Sequence, residues 1–85
     1  MEIKVLGPGC PNCQRLEKNT HTALAQLGVQ ATVTKVADMK DIMSYSIFST
    51  PGLVINEKVV SAGRVPNVAE ISSLIATALM EAEAK

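Results

Sequence analysis

The sequence predicts an α/β domain with element order β-α-β-α-β-β-α, in which four strands form one mixed sheet covered by helices. Three observations predict it. Two long segments, one near each end of the chain, repeat apolar residues at three- and four-residue steps, the period of a helix with one buried face. Short runs rich in Val and Ile, punctuated by Gly, Pro and Asn, lie before and between those segments. The chain opens strand–helix–strand, which closes into a parallel pair through a right-handed crossover, and a later pair of strand-like runs is close enough to form an antiparallel hairpin.

The first strand is Glu2 to Leu6, carried by Ile3, Val5 and Leu6 and ended by Gly7-Pro8-Gly9. A helix follows from about Pro11 to Leu27. Proline at the first helical position loses nothing, because that N–H has no partner in any helix. Cys13, Leu16, Thr20, Ala23, Leu24 and Leu27 form its inward stripe, with Arg15, Glu17, Lys18 and Gln26 on the other side. Gly28 suits a left-handed C-terminal cap. Val29 to Val36 alternates Val29, Ala31 and Val33 with Gln30, Thr32 and Thr34, as a strand with one buried face does.

A short helix is expected after Asp38, its N-cap, with Asp41 as a weaker form of the capping-box acid, fading near Tyr45. Leu53 to Ile55 and Lys58 to Ser61 read as two strands, joined at Asn56-Glu57 by a tight turn that lacks the usual glycine. The last helix runs from about Val68 to Ala82, capped by Asn67 with Glu70 at the capping-box position. Val68, Ile71, Leu74, Ile75, Ala78 and Leu79 form its apolar stripe.

Composition narrows the function. The chain has 85 residues, expected to form a single domain over 1–85. Eight Lys and Arg balance eight Asp and Glu. Neutral charge without a basic block argues against a nucleic-acid partner, since phosphate binding needs clustered Lys and Arg. Apolar residues reach 47%, too many for a disordered chain of such low net charge. No apolar run approaches the roughly 18 residues of a membrane span, and the first residues lack the basic-then-apolar pattern of an export signal, so a cytoplasmic location is expected. Two cysteines are too few for the disulfide framework of a small secreted domain.

Those two, Cys10 and Cys13, lie at a strand-to-helix junction, three positions apart and within disulfide reach of each other. Cys10 stands at the helix start, where unpaired N–H groups and the helix dipole favour an anion. A free thiol of pKa about 8.5 is only about 3% thiolate at neutral pH; a pKa near 7 makes it about half thiolate. The thiolate is the attacking species in disulfide exchange. Cys10 is therefore the expected nucleophile. Cys13, on the inward stripe, is the expected resolving thiol.

Three other readings share the motif. A structural zinc site needs four ligands, and there is no third cysteine, while His21 points along the helix away from the thiols. A structural disulfide closing so short a loop contributes only about 2 kcal/mol. Copper(I) carriage by two soft thiolates competes in earnest, because small copper chaperones also place CxxC between a first strand and a first helix. Their order then runs β-β-α-β. Here a helical segment follows the second strand and the chain closes on a helix.

A second signal is Thr50-Pro51-Gly52 before the run Leu53-Val54-Ile55. Proline is excluded from strand interiors but tolerated at a strand start, so by itself it reads as a simple turn. Together with the CxxC it gives a layout that resembles the thioredoxin-like superfamily along the whole chain. It is most similar to the small archaeal and bacterial glutaredoxin-like thioredoxins, also called redox-active disulfide protein 2. The resemblance is carried by Gly7-Pro8-Gly9-Cys10-Pro11-Asn12-Cys13, by Tyr45-Ser46-Ile47-Phe48-Ser49-Thr50-Pro51, and by Val59-Val60-Ser61-Ala62-Gly63-Arg64-Val65-Pro66. It implies a cis Thr50–Pro51 bond, with Pro51 lying against the CxxC and keeping metals off the thiols. It also implies that Thr50 and Pro51, with Pro11 and Asn12, contact an extended substrate strand by strand addition.

The chain departs from its larger relatives. Long thioredoxins bury an Asp in the strand before the motif; the matching position, six before Cys10, is Lys4. Glutaredoxins often carry Tyr between the cysteines and Asp at the start of the last helix; here Asn12 and Val65-Pro66-Asn67 stand there. Arg64 reads as a solvated charge and His21 as an exposed helix residue. Tyr45 and Phe48 read as core filling, and Met39 and Met43 as packing.

The resulting expectation is a thiol–disulfide oxidoreductase of thioredoxin-like fold, acting as a monomer without bound cofactor or metal. Its partners are disulfide-bearing proteins and a reductase or small thiol that supplies electrons. The alternative is a copper(I) carrier using the Cys10/Cys13 dithiol.

Overall fold

Strand β1 (Glu2–Leu6) lies inside the sheet because both of its faces are apolar enough to bury: Ile3, Val5 and Leu6 are almost fully covered. It pairs in parallel with β2 (Thr32–Val36) on one side and antiparallel with β3 (Gly52–Ile55) on the other. Strand β4 (Lys58–Ala62) completes the order β2-β1-β3-β4, antiparallel to β3. The elements follow one another as β1, α1 (Pro11–Leu27), β2, α2 (Met39–Met43), β3, β4 and α3 (Val68–Glu83). The sheet is thus mixed and four-stranded, as the pattern of the sequence predicts. These coordinates, a computed structural model, describe residues 1–83.

Strand parity divides the core in two. Ile3 and Val5 of β1 and Leu53 and Ile55 of β3 face α1 and α3, where Leu16, Ala23, Leu24, Ile71 and Ile75 meet them. Leu6 and Val54, one position out of step, face the opposite side and pack with Ile42 and Ile47. Each fully buried aliphatic side chain contributes about 1.5–3 kcal/mol, so the face with the two long helices carries most of the stability. A side-chain bond from Asn19 Nδ2 to the carbonyl of Pro66, 3.2 Å, ties α1 to the start of α3.

The element ends follow from local chemistry. Gly28 adopts φ 67°, its N–H donates to the carbonyl of Ala25, and the N–H of Val29 donates to that of Leu24. This is a Schellman closure, and it claims Val29 for the helix end. Strand β2 therefore begins at Thr32, opposite Glu2, and not at Val29; Val29 and Ala31 still pack against the core. Leu27, expected on the inward stripe, is 41% exposed in the last turn of α1. Asp38 caps α2 by accepting from the N–H of Lys40 at 2.8 Å, and Asn67 caps α3 by accepting from the N–H of Glu70 at 2.8 Å. The Glu70 carboxylate pairs with exposed Arg64 and does not turn back to the cap.

Asn56 and Glu57 take φ 50° and 67°, the two positive values that a type I′ hairpin needs, without glycine. Asn56 offsets the cost by binding Glu2 twice, donating its N–H to the carbonyl at 2.8 Å and accepting the Glu2 N–H on Oδ1 at 3.1 Å.

On the α2 side of the sheet the only covered helix position is Ile42, because a five-residue helix offers the sheet little more than one side chain. Met39 and Met43, expected to pack, are 53% and 61% exposed. Here Lys4 points its ammonium at Glu57 Oε1 (2.6 Å), Tyr45 Oη (2.8 Å) and Glu2 Oε1 (3.3 Å). The hydrogen bond from Lys4 holds the Glu57 carboxyl below the usual carboxylate range, and Arg64 does the same for Glu70. A carboxyl lowered in the folded state adds stability above its unfolded value and loses it as pH falls through the folded one. We therefore expect the urea midpoint to drop on going from about pH 5 to about pH 3, and to drop less in Glu57→Gln than in the wild type. Equal drops in the two proteins contradict this role for Glu57.

Candidate active site

The site is assembled where β1 runs into α1. Beyond Leu6 the N–H of Gly7 donates to the carbonyl of Val36 at 2.9 Å, continuing the pairing with β2. The chain then turns through Gly9, at φ 94°, into Cys10. Cys10 is the N-cap of α1, with extended backbone (φ −65°, ψ 163°), and its Sγ accepts the N–H of Cys13 at 3.2 Å. A sulfur thus occupies the place that a Ser or Asp oxygen usually fills. The carbonyl of Cys10 accepts the N–H of Gln14 at 3.0 Å, and Pro11, at N1, has no N–H to leave unpaired.

The two cysteines are joined as a disulfide, with Cα atoms 5.0 Å apart. Their environments differ. Cys10 is half-buried, whereas Cys13 is buried, 5% exposed. Pro11 and Asn12 project into solvent. An incoming disulfide therefore reaches Cys10 more easily than Cys13. Once reduced, Cys10 has an amide donor and the positive helix end beside its sulfur, both of which favour the thiolate.

The second segment meets the first at Gly7. A β-carbon on Gly7 would collide with Cys13 Sγ, and it would stand 3.9 Å from the Cα of Pro51. Gly7 has no side chain, and Cys13 Sγ fills the space that one would take. The Thr50–Pro51 bond is cis. Pro51 is buried and its carbonyl accepts the N–H of Gly63 at 2.9 Å, while Thr50 is half-buried. The fold thus brings together Cys10, Pro11, Asn12 and Cys13 at the helix start, with Pro51 behind them and Thr50 at its side.

Two residues, Phe48 and Glu17, sit differently from the sequence reading. Phe48 is 95% exposed and fills no core, since Ile47 beside it takes the inward place. Tyr45 is half-buried against the smaller core cluster, with its hydroxyl at Lys4 and Glu57. Glu17, assigned to the outer face of α1, is half-buried and shares a small cleft of about 90 Å³ with Cys13. Its position four residues after Cys13, one turn along the same face, is the signal that locates it. His21 is exposed, as expected. Among the described residues, no group of three or more His, Cys, Asp or Glu side chains is gathered to hold a metal ion.

Comparison with known proteins fits this geometry. The family model described as a thioredoxin domain matches residues 1–76. A thioredoxin of Methanothermobacter thermautotrophicus is 36% identical over 75 residues, which cover 88% of this chain and 97% of the relative. A thioredoxin of Methanocaldococcus jannaschii is 36% identical over 69 residues, covering 81% of this chain and 79% of the relative. No described helix is long and apolar enough to cross a membrane. A dithiol at a helix N-terminus, backed by a cis-proline and matched along nearly the whole chain, leads to one conclusion: the chain belongs to the thioredoxin family and is a thiol–disulfide oxidoreductase of thioredoxin-like type.

Proposed function

We propose that the protein reduces disulfides in other proteins, with Cys10 as nucleophile and Cys13 as resolving thiol. The observation that carries this division of roles is the position of Cys10 Sγ at the N-cap of α1, accepting the Cys13 N–H, while Cys13 itself is buried. The Cys10 thiolate attacks one sulfur of the substrate disulfide, forming a mixed disulfide and expelling the other sulfur as a thiolate. Cys13, deprotonated, then attacks Cys10 Sγ. The Cys10–Cys13 disulfide forms, the bond to the substrate breaks, and two electrons have passed to the substrate. A reductase or small thiol outside the chain returns them, with no cofactor bound to this domain. A monomer suffices for this cycle, and the reducing cytoplasm is its natural setting.

Thr50 and Pro51, with exposed Pro11 and Asn12, are assigned to the substrate. An extended peptide laid beside Thr50 places its disulfide over Cys10. Phe48, exposed two positions before Thr50, supplies an apolar contact to the same peptide. Replacement of Phe48 by Ala is expected to raise KM for an oxidised protein substrate about fivefold. An unchanged KM removes Phe48 from the binding surface. Copper(I) carriage, which needs both sulfurs open to the metal, is disfavoured by the burial of Cys13. Insulin reduction with dithiothreitol as donor tests the proposal: Cys10→Ser is expected to abolish it. Stoichiometric copper(I) binding without reductase activity supports the carrier.

A further inference from the structure

The proposed cycle requires Cys13 to lose a proton before it can attack, and burial opposes that loss by disfavouring the thiolate. The N-cap position serves Cys10 and gives Cys13 no comparable help. The strand position six before Cys10 holds Lys4, whose ammonium is engaged with Glu57 and Tyr45 on the α2 side of the sheet. A proton acceptor for Cys13 must therefore come from elsewhere.

The cleft beside Cys13 contains one carboxylate. Its walls are Val5, Gly7, Gly9, Cys13, Gln14, Glu17 and Lys35. Val5 and the two glycines bring no ionisable group, and Gln14 is occupied in donating to the carbonyl of Gly9 at 3.3 Å. Glu17 follows Cys13 by one helical turn, and Lys35 of β2 holds its carboxylate with Nζ 3.7 Å from Oε2. A cleft of about 90 Å³ has room for water between thiol and carboxylate. The Glu17 side chain is 25% exposed, so a proton received there can pass on to solvent.

We propose that Glu17 is the proton acceptor for Cys13 in the resolving step, with Lys35 as the residue that positions it. This rests on the assignment of Cys10 as nucleophile and Cys13 as resolving thiol. As Cys13 Sγ attacks Cys10 Sγ, its proton passes through a water in the cleft to the Glu17 carboxylate. The new disulfide forms, the substrate sulfur leaves as a thiolate, and the proton goes on to that thiolate or to solvent. The charged group facing Glu17 in the cleft is Lys35 from β2; the titratable Cys13 faces it on its own helix, Val5 comes from β1, and Gly7 and Gly9 come from the turn that follows β1.

Stopped-flow reaction of the reduced protein with 5,5′-dithiobis(2-nitrobenzoate) tests this, because two thionitrobenzoate ions leave in sequence. The first marks attack by Cys10 and the second marks resolution by Cys13. A first phase that keeps the wild-type rate in Cys13→Ser and is strongly slowed in Cys10→Ser, where Cys13 is the remaining thiol, establishes the underlying assignment; the reverse pattern overturns the assignment itself. Given that assignment, Glu17→Gln is expected to leave the first phase intact and to slow the second at neutral pH by about 10²-fold. Its second phase should also rise with hydroxide concentration, where the wild type is nearly flat. Glu17→Asp should recover part of the rate, and Lys35→Met should lower it less than Glu17→Gln does. A second phase in Glu17→Gln with wild-type rate and pH profile overturns the proposal. So does an equal slowing of both phases, or a slowed phase with an unaltered pH profile, because each marks a structural role.

Discussion

A Cys13→Ser protein mixed with an oxidised protein substrate is expected to accumulate a covalent mixed disulfide through Cys10, while its steady-state reductase activity falls to background. The reason is kinetic. Cys13 stands one helical turn from Cys10, already within bonding distance in the oxidised form. Well-oriented intramolecular groups reach effective concentrations of about 10⁵ M or more, far above any external thiol at millimolar levels. Serine has nearly the same shape but no nucleophilic thiolate, so the first exchange proceeds and the second stops. Non-reducing electrophoresis with peptide mapping reads the adduct. Its absence, or an adduct formed equally by Cys10→Ser, contradicts the assigned roles.

The second large effect is expected at Gly7. A methyl group there would meet Cys13 Sγ at less than van der Waals contact and would lie close to the Pro51 backbone. Cys13 does not yield easily, since it is buried in the first turn of α1. Overpacking of this kind costs about 1–3 kcal/mol, a fall of several degrees in Tm for a domain of this size. Because the strain falls on the resolving sulfur, Gly7→Ala should also lose most of its reductase activity at temperatures where it is folded. Gly9→Ala is the contrasting case. Its β-carbon meets open space, but φ 94° is unfavourable for alanine. It should lose stability while keeping the Cys13 chemistry. If Gly7→Ala melts and reduces insulin like the wild type, the packing of Cys13 against Gly7 is wrong.

Much of this was legible in the sequence, for identifiable reasons. The helix periods and their caps, Asp38, Asn67 and Gly28, act through neighbours a few residues away, so the chain itself displays them. The order of elements followed from the helix periods, the short Val- and Ile-rich runs and the hairpin spacing taken together, while the CxxC and the Thr-Pro carried the family resemblance. What was not legible depended on distant partners. Val29 reads as strand until the closure of α1 claims its N–H. Phe48 reads as core because aromatic residues are usually buried, and only the inward turn of Ile47 leaves it outside. Glu17 reads as an outer-face charge because the groups that share its cleft, Val5 on β1, Gly7 just after it and Lys35 on β2, lie far from it in the chain. Lys4 reads only as a departure from the Asp of long thioredoxins, and the structure supplies its role, a hub for Glu57, Tyr45 and Glu2.

The proposed roles make Cys10, at the start of α1, the reactive thiolate. Alkylation of the reduced protein by iodoacetamide across pH, with each cysteine followed by mass spectrometry, tests it most directly. The helix terminus and the Cys13 N–H predict that Cys10 is modified first, with a midpoint about one unit or more below that of a free thiol near 8.5. A midpoint at or above that value, or modification of Cys13 ahead of Cys10, contradicts the account.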